Sequence, residues 1–183
     1  MIGDSMPAVL WFTGLSGAGK STIASAVVDE LLRRGIRTEY LDGDAVRLLS
    51  PAGFTRPERD THVTRVGFLA SRLEHHGVTA VCALISPYAD TRDQVRQLCR
   101  RFIEIYVATP LVECERRDVK GLYARARRGE IAHFTGIDDP YEPPRNPELV
   151  IDTTRVTPVQ AVIQVTAAWE AATGAAAAWG AQR

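Results

Sequence analysis

Residues 14–21, Gly-Leu-Ser-Gly-Ala-Gly-Lys-Ser (GLSGAGKS), decide the fold of this chain. They match the pattern G-x-x-x-x-G-K-[ST], in which glycines let successive backbone N–H groups converge on phosphate oxygens. The apolar run AVLWFT at residues 8–13 predicts a buried strand before the motif, and residues 20–34 predict a helix after it. A glycine-rich turn can simply join two elements, but this strand–loop–helix context is typical of a nucleoside triphosphate site.

The loop residues have predicted roles in binding ATP with magnesium. Lys20 is predicted to reach the β- and γ-phosphates, Ser21 to join the magnesium shell, and Thr22 to contact the α-phosphate side. The positive end of the following helix lies at the same place. The predicted ATP-binding residues of the loop are Gly14, Ser16, Gly17, Ala18, Gly19, Lys20, Ser21 and Thr22.

Apolar runs alternate with helical patterns along the chain, which predicts an α/β fold with a parallel sheet. The predicted strands cover residues 8–13, 36–41, 78–85, 102–107 and 149–151, and the predicted helices cover 20–34, 57–76, 92–101 and 158–172. The 183 residues suit one domain, 1–183. Within it, the polar segment 116–146 predicts a lid, and the low-complexity segment 174–183 predicts a frayed tail.

The composition excludes several broad classes of function. Lys and Arg number 22 and Asp and Glu number 22, so the net charge of zero predicts no general attraction to nucleic acid or to a membrane. Anionic ligands would have to meet a local cluster of cations and amides. The sequence also lacks an apolar run long enough to span a bilayer, and its first residues do not resemble a secretory signal. With three scattered cysteines, these features predict a cytoplasmic protein with reduced thiols.

Two carboxylates follow the second predicted strand. Asp42 and Asp44 stand at its carboxyl end, where open α/β sheets place their ligands. Phosphoryl transfer needs one carboxylate to orient the acceptor hydroxyl and another to hold magnesium or a positioning arginine, for which Arg47 is close. In a purely structural interpretation, Asp42-Gly43 is a turn and Asp44 caps the next helix. Which aspartate acts as the base stays open at this point.

Long stretches of the chain resemble adenylylsulfate kinase, which phosphorylates the 3′-hydroxyl of adenosine 5′-phosphosulfate (APS). The matching pieces are WFTGLSGAGKST, LDGDAVR, GFTRPER, ALISPYADTRDQVR, FIEIYVATPLVECERRDVKGLYARARRGEI and HFTGIDDPYEPPRNPELVIDT. The resemblance implies a P-loop kinase: a three-layer sandwich with a five-stranded parallel sheet of order 2-3-1-4-5. It also implies ATP and Mg²⁺ as cofactors, sulfate assimilation as the setting, and two partners to consider, a second copy of the chain and a sulfurylase.

The resemblance also carries residue roles onto this chain. It implies that Phe54 and Phe134 clasp the adenine of APS, that Arg47, Arg59 and Lys120 hold the phosphosulfate, and that Arg117 lies against the adenine of ATP. Ser86 matches a serine described in the family as a phosphoserine intermediate, although in-line transfer needs no intermediate. The predicted catalytic residues are Lys20, Asp42, Asp44 and Ser86. The predicted acceptor-binding residues are Asp44, Arg47, Phe54, Arg59, His62, Ile85, Ser86, Lys120 and Phe134.

The chain departs from the family pattern on the acceptor side. The family's asparagines and arginines are replaced by Ala45, His62, Thr64 and Ala89, and the loop before Phe54 is about two residues shorter than usual. A protonated His62 could pair with an anion, whereas a lone histidine is more often a packing residue. These changes leave two enzymatic hypotheses: an APS kinase with a rearranged pocket, or a paralogue that phosphorylates another anionic nucleotide or alcohol. A regulatory P-loop module is a third, but the base-reading N-K-x-D motif of GTPases is not evident.

The basic run of the predicted lid allows two interpretations. Arg125 and Arg128 could neutralise the transferring phosphoryl group when a lid closes. They could equally form a solvated helix face, because a run of charges does not by itself distinguish the two.

Overall fold

The computed structural model describes residues 6–49 and 53–175, within which the chain forms five strands and seven helices. The strands are β1 (Val9–Thr13), β2 (Thr38–Asp42), β3 (Thr79–Ala83), β4 (Phe102–Val107) and β5 (Leu149–Ile151). The helices are α1 (Lys20–Arg33), α2 (Gly43–Leu49), α3 (Arg56–His75), α4 (Ala89–Leu98), α5 (Leu111–Arg117), α6 (Leu122–Arg127) and α7 (Pro158–Thr173).

The strands form one parallel sheet in the order β2-β3-β1-β4-β5, which confirms the predicted fold class and strand order. Strand β1 lies at the centre, and its five residues are all buried because helices cover both faces of the sheet. Alternate residues of β1 enter different cores: Phe12 packs in the cluster that contains α1 and α7, and Trp11 in the cluster that contains α3. The result is the predicted three-layer sandwich.

The carboxyl ends of the strands meet at one edge of the sheet, and this edge positions the site. Strand β1 ends directly before the glycine-rich loop, and β2 ends at Asp42. Residues 84–88 follow β3 at the same edge, between β2 and β1 in the sheet order. The two predicted halves of the site therefore lie side by side.

The predicted helix at 92–101 is displaced, since α4 covers Ala89–Leu98. The helix ends because Cys99 has extended backbone angles, and because the Glu74 carboxylate accepts hydrogen bonds from the backbone N–H groups of Arg100 (2.8 Å) and Arg101 (2.6 Å). These amides therefore continue into β4 rather than into another helical turn. A buried carboxylate of α3, distant in sequence, thus decides where α4 stops.

Three short helices were not predicted. Helix α2 forms in a stretch for which no helix was predicted, because Asp42 Oδ1 accepts hydrogen bonds from the backbone N–H groups of Asp44 (2.8 Å) and Ala45 (3.3 Å). The helix cap is thus Asp42, and the structural interpretation that gave this role to Asp44 is wrong. Helices α5 and α6 have seven and six residues, too few to show a clear hydrophobic period.

The predicted tail falls largely outside the described residues, which end at residue 175. Gly174, its first residue, closes α7 in the left-handed conformation at φ 72°. Among the described helices, none combines the length and the apolar character needed to cross a membrane.

Candidate active site

The glycine-rich loop is held close against the centre of the sheet. Gly14 has φ 148°, and a Cβ atom at this position would lie 2.5 Å from the Val107 carbonyl oxygen. A side chain is therefore excluded by both backbone angle and space. The remaining turn glycines, Gly17 and Gly19, also have positive φ angles, of 72° and 104°. The loop is a rigid cradle built by β1, β4 and α1.

Lys20 lies buried at the start of α1 and bends back over the loop. Its Nζ donates hydrogen bonds to the carbonyl oxygens of Gly14 (2.9 Å) and Leu15 (2.7 Å). Burial lowers the pKa of Lys20 from its ordinary 10.5 to about 8. The ammonium group thus already lies in the phosphate cradle. Phosphate oxygens bound there would be expected to replace the two carbonyl oxygens as its partners.

A hydroxyl–carboxylate cluster lies beside the loop and offers hard oxygen ligands. The Tyr40 hydroxyl donates to Asp42 Oδ2 at 2.9 Å, and burial followed by the contact with Asp42 raises the pKa of Tyr40. Ser21 also contacts this tyrosine hydroxyl. Ser21 and Asp42 therefore share one neighbourhood, which fits magnesium, because that ion takes one or two protein oxygens and completes its shell with water and phosphates. Among the described residues, no group of three or more His, Cys, Asp or Glu side chains could hold a metal ion.

Arg117 lies against the loop from the side of β5. Its Nη1 donates to Thr153 Oγ1 at 2.8 Å, and a longer contact of 3.4 Å reaches the Gly17 carbonyl. Thr153 and Thr109 in turn donate to the Ala18 carbonyl at 3.1 and 2.9 Å. Sequence reasoning missed both threonines, although each follows a strand at its carboxyl end, a position that could have suggested them.

The predicted aromatic clamp is closed in this structure. The rings of Phe54 and Phe134 have centroids 6.4 Å apart and planes at 53°, which is direct ring–ring contact with no space for a base between them. Phe134 is 1% exposed and also packs edge-on against Tyr123 at 5.1 Å. A role of Phe134 in a clamp therefore requires Phe54 to move.

Two arginines lie over the Phe54 ring. The guanidinium groups of Arg47 and Arg59 are 5.7 and 5.4 Å from its centroid. Arg59 is 2% exposed and donates to the carbonyl oxygens of Phe54 (2.8 Å) and His133 (2.8 Å), so it connects the start of α3 to the segment that carries Phe134. Desolvation lowers the pKa of this arginine.

His62 is a buried imidazole. It is 4% exposed, and burial, followed by the charge of Arg47, lowers its pKa to about 4. This burial favours the interpretation of His62 as a packing residue. Its Nδ1 is buried and makes no hydrogen bond.

Lys120 forms an ion pair with Asp44 across the mouth of the site, joining the predicted lid to α2. Both side chains remain largely exposed, at 56% and 67%. Farther along the segment, Arg125 and Arg128 pair with Glu130. These exposed pairs favour the solvated-face interpretation for the two arginines.

Ser86 has an unusual backbone and an engaged hydroxyl. Its φ is 39°, it is 3% exposed, and its Oγ accepts a hydrogen bond from Trp11 Nε1 at 3.1 Å. The neighbouring Ile85 carbonyl accepts from Thr13 Oγ1 at 2.8 Å. A hydroxyl buried against an indole is a poor candidate for a phosphoryl carrier, because the acceptor phosphate would need space and counter-charges there.

One cleft of about 410 Å³ brings these groups together. The predicted residues along its wall are Ser16, Gly17, Gly19, Lys20, Ser21, Thr22, Asp42, Asp44, Arg47, Phe54, Arg59, His62, Ile85, Ser86, Arg117, Lys120 and Phe134. The predicted loop residues Gly14 and Ala18 are not part of this wall; Ala18 is fully buried. Val119 and Tyr123 also line the cleft but were not predicted.

Comparison with known proteins identifies close relatives of this chain. The family model described as adenylylsulphate kinase matches residues 6–152. An adenylyl-sulfate kinase of Synechococcus sp. (strain JA-3-3Ab) is 55% identical over 146 residues, which cover 79% of this chain and 83% of the relative.

Two solved structures are similar along almost the whole chain. A structure of the Mycobacterium tuberculosis APS kinase CysC in complex with AMPPNP and APS has a TM-score of 0.82 at 42% identity, covering 88% of this chain and 98% of that one. A structure of a hexameric APS kinase from Thiobacillus denitrificans has a TM-score of 0.70 at 38% identity and covers 91% of this chain but 29% of that one.

Proposed function

This chain belongs to the adenylylsulphate kinase family, and from that premise we propose how its cleft transfers the γ-phosphoryl group of ATP to the 3′-hydroxyl of APS. The product of this reaction is 3′-phosphoadenosine 5′-phosphosulfate. The enzyme is a phosphotransferase with an alcohol acceptor, and it uses ATP with Mg²⁺.

One observation supports the proposal most directly: the phosphate cradle and the acceptor residues line the same cleft. Lys20 and Ser21, which we call the donor end, line it together with Phe54 and Phe134, which we call the acceptor end, and with both aspartates. A shared cleft suits in-line transfer, in which donor phosphate and acceptor hydroxyl must face each other with carboxylates near the hydroxyl.

At the donor end, ATP phosphates lie over the loop amides. Lys20 exchanges its two carbonyl partners for phosphate oxygens and stabilises the charge of the transferring group. Bound magnesium supplies further charge neutralisation, and Ser21 with Asp42 would hold it. Arg117 flanks the loop on the far side, where the adenine of ATP is expected.

At the acceptor end, Asp44 is the carboxylate that faces the substrate hydroxyl. Both oxygens of Asp42 are fixed beside Ser21, with Oδ1 capping α2 and Oδ2 accepting from Tyr40, a position that suits a magnesium ligand better than a base. Asp44 projects into the cleft mouth, where Lys120 is its partner. When an anionic acceptor takes Lys120, the Asp44 carboxylate becomes available to orient the 3′-hydroxyl and accept its proton.

The adenine of APS enters between the two phenyl rings when Phe54 moves away from Phe134. Phe134 is the fixed member because it is packed in the core, while Phe54 is half-buried and precedes α3. Arg47 and Arg59, which lie over Phe54, place positive charge beside this slot for the phosphosulfate. Residues 116–146 act as the lid, and transfer is direct, with Ser86 shaping the cleft floor.

The edited acceptor side is compatible with APS as substrate. The comparisons lend no support to another acceptor or to a regulatory module. Specificity for one acceptor is a difference of affinities to which several contacts contribute, so the replaced side chains do not by themselves remove it. We further propose that the protein is cytoplasmic and assembles with copies of itself, as one relative does. A sulfurylase partner stays a prediction from the resemblance.

A coupled assay of ADP release tests the proposal. Magnesium ATP is supplied with and without micromolar APS, and the product is analysed by mass for a new 3′-phosphate. We expect fast, APS-dependent release. ATP binding without APS-dependent turnover would overturn the assignment and direct the search to other anionic nucleotides and alcohols.

A further inference from the structure

Arg92 is a buried arginine that no step of the proposed reaction uses. It lies on α4, is 2% exposed, and its guanidinium group has three hydrogen-bonded partners. Nε donates to Glu104 Oε1 at 2.8 Å, Nη1 to the Ser86 carbonyl at 2.7 Å, and Nη2 to the Glu142 carbonyl at 2.7 Å. One rigid, planar group therefore joins the sheet, the acceptor side of the cleft and the end of the predicted lid.

The two loops that Arg92 joins also hold each other directly. Tyr88 Oη donates to Asp139 Oδ2 at 2.6 Å, the Glu142 N–H donates to the Pro87 carbonyl at 2.8 Å, and the Ala89 N–H donates to Glu142 Oε2 at 2.7 Å. We call segments 86–89 and 139–142 together the clasp. Through it, the chain that leaves the lid is fastened to the loop that follows β3.

Arg92 is itself fixed from the centre of the fold. Its partner Glu104 belongs to β4 and is 6% exposed, so the buried charge is paired and immobile. The ring of Tyr141 lies 5.8 Å from the guanidinium group, and the Tyr141 hydroxyl contacts Thr13 Oγ1 at 2.8 Å. These contacts fix the position of the clasp relative to two central strands, β1 and β4.

The backbone at Ser86 needs such support. A serine at φ 39° occupies a region that residues with a Cβ adopt at an energetic cost, which the surrounding contacts must offset. The Ser86 carbonyl is bound by Arg92 at 2.7 Å and by Thr13 Oγ1 at 3.4 Å. Ile85 and Ser86 line the cleft, so a relaxed Ser86 would change the wall against which the acceptor rests.

We propose that Arg92 is a positioning residue for the acceptor. It acts through Ser86 and Glu142 to keep the cleft wall and the lid end in a fixed position relative to each other. The inference rests on the proposed function. Arg92 binds the β3 loop and the lid end, so its loss should impair the use of APS far more than the use of ATP.

The matched test compares Arg92→Lys with Arg96→Lys. Arg96 lies one turn along the same helix and also contacts Glu104, at 3.2 Å, but its other carboxylate partner is Glu148 rather than the clasp. Lysine keeps the charge opposite Glu104, while a single ammonium cannot span three separated acceptors. For Arg92→Lys we expect kcat/KM for APS to fall about 10–100-fold, with KM for ATP changed less than about twofold. Arg96→Lys should stay within about threefold of wild type for both substrates.

Tyr88→Phe covers the case in which Arg92→Lys does not fold. This variant removes one hydroxyl from the clasp and should raise KM for APS in the same direction by a few-fold. The inference is overturned if Arg92→Lys and Tyr88→Phe change both substrates equally, or lower only the active fraction at unchanged KM values. A wild-type protein without APS-dependent turnover would instead overturn the proposed function and this inference with it.

Discussion

The two ends of the cleft are built in different ways. Most of the donor end is one continuous segment, residues 14–22, wedged between β1, β4 and α1, with its lysine already in the cradle. The acceptor end is assembled from segments around residues 44–47, 54–62, 85–86, 120 and 134, and its aromatic slot is closed. The donor end is thus ready to bind, whereas the acceptor end must rearrange to admit its ligand.

This difference indicates which end controls the reaction. A preformed cradle binds phosphates of many nucleotides, because backbone amides read only charge and shape. A slot that opens only for a flat, anionic ligand delays completion of the site until the correct acceptor is present. Substitutions at the two ends should therefore have separable effects.

The largest expected effect comes from the donor end. Lys20→Ala should lower kcat/KM at least about 10³-fold, because the transferring charge loses its fixed cation. The variant should nonetheless fold, since it removes a buried ammonium whose pKa burial lowers to about 8. Steady-state kinetics and thermal unfolding together check this, and retained turnover would remove the donor end from the mechanism.

Substitutions of the two aspartates have the next largest expected effect, and this effect differs between the two ends. Asp44→Asn should lower kcat about 10²–10³-fold through loss of the base, with KM for ATP nearly unchanged. Asp42→Asn, the matched control, should instead raise the magnesium requirement and destabilise α2, whose cap it is. Magnesium titrations of both variants are the measurement, and an interchange of the two phenotypes would reverse the assigned roles.

The aromatic pair predicts a smaller effect confined to the acceptor. Phe54→Ala should cost about 1–3 kcal/mol of APS binding through lost stacking, with little change for ATP. Phe134→Ala should weaken APS use likewise, and in addition lower the free energy of unfolding by about 3–5 kcal/mol, because that ring is buried. Equal losses for ATP and APS in the Phe54 variant would argue against the clamp.

The smallest effect concerns His62. Because its pKa is about 4, His62 should be neutral from pH 6 to 8. The pH profile of kcat/KM for APS should therefore show no titration step from this residue in that range. Because the pKa of His62 in the folded state is below its ordinary value of 6.5, the unfolded chain binds this proton first as the pH falls. Acidification below about 6 should therefore destabilise the fold, and His62→Asn should remove this contribution. An inflection near pH 6.5 that disappears in the variant would contradict the buried, neutral state.

The sequence predicted the donor end and the sheet because both depend on local signals. Apolar runs located the five strands, and the loop motif carries its own geometry. Asp44 and Arg47 were predicted from their place after the second strand, whereas the other acceptor residues were named through a family resemblance, since nothing in the spacing of Asp44 and Lys120 indicates that they meet. Tyr40 and Thr153 were missed because their partners are set by tertiary packing, which periodicity does not encode.

The hydrogen bonds of Lys20 to its own loop have a consequence for how stability and affinity are related. Desolvation of the ammonium occurs when the chain folds, so ATP meets a cation that has already left bulk water. Selection for tighter nucleotide binding and selection for a more stable fold therefore act on this side chain in opposite directions. A thermostable variant obtained by neutralising position 20 would be expected to be a more robust protein and a failed kinase.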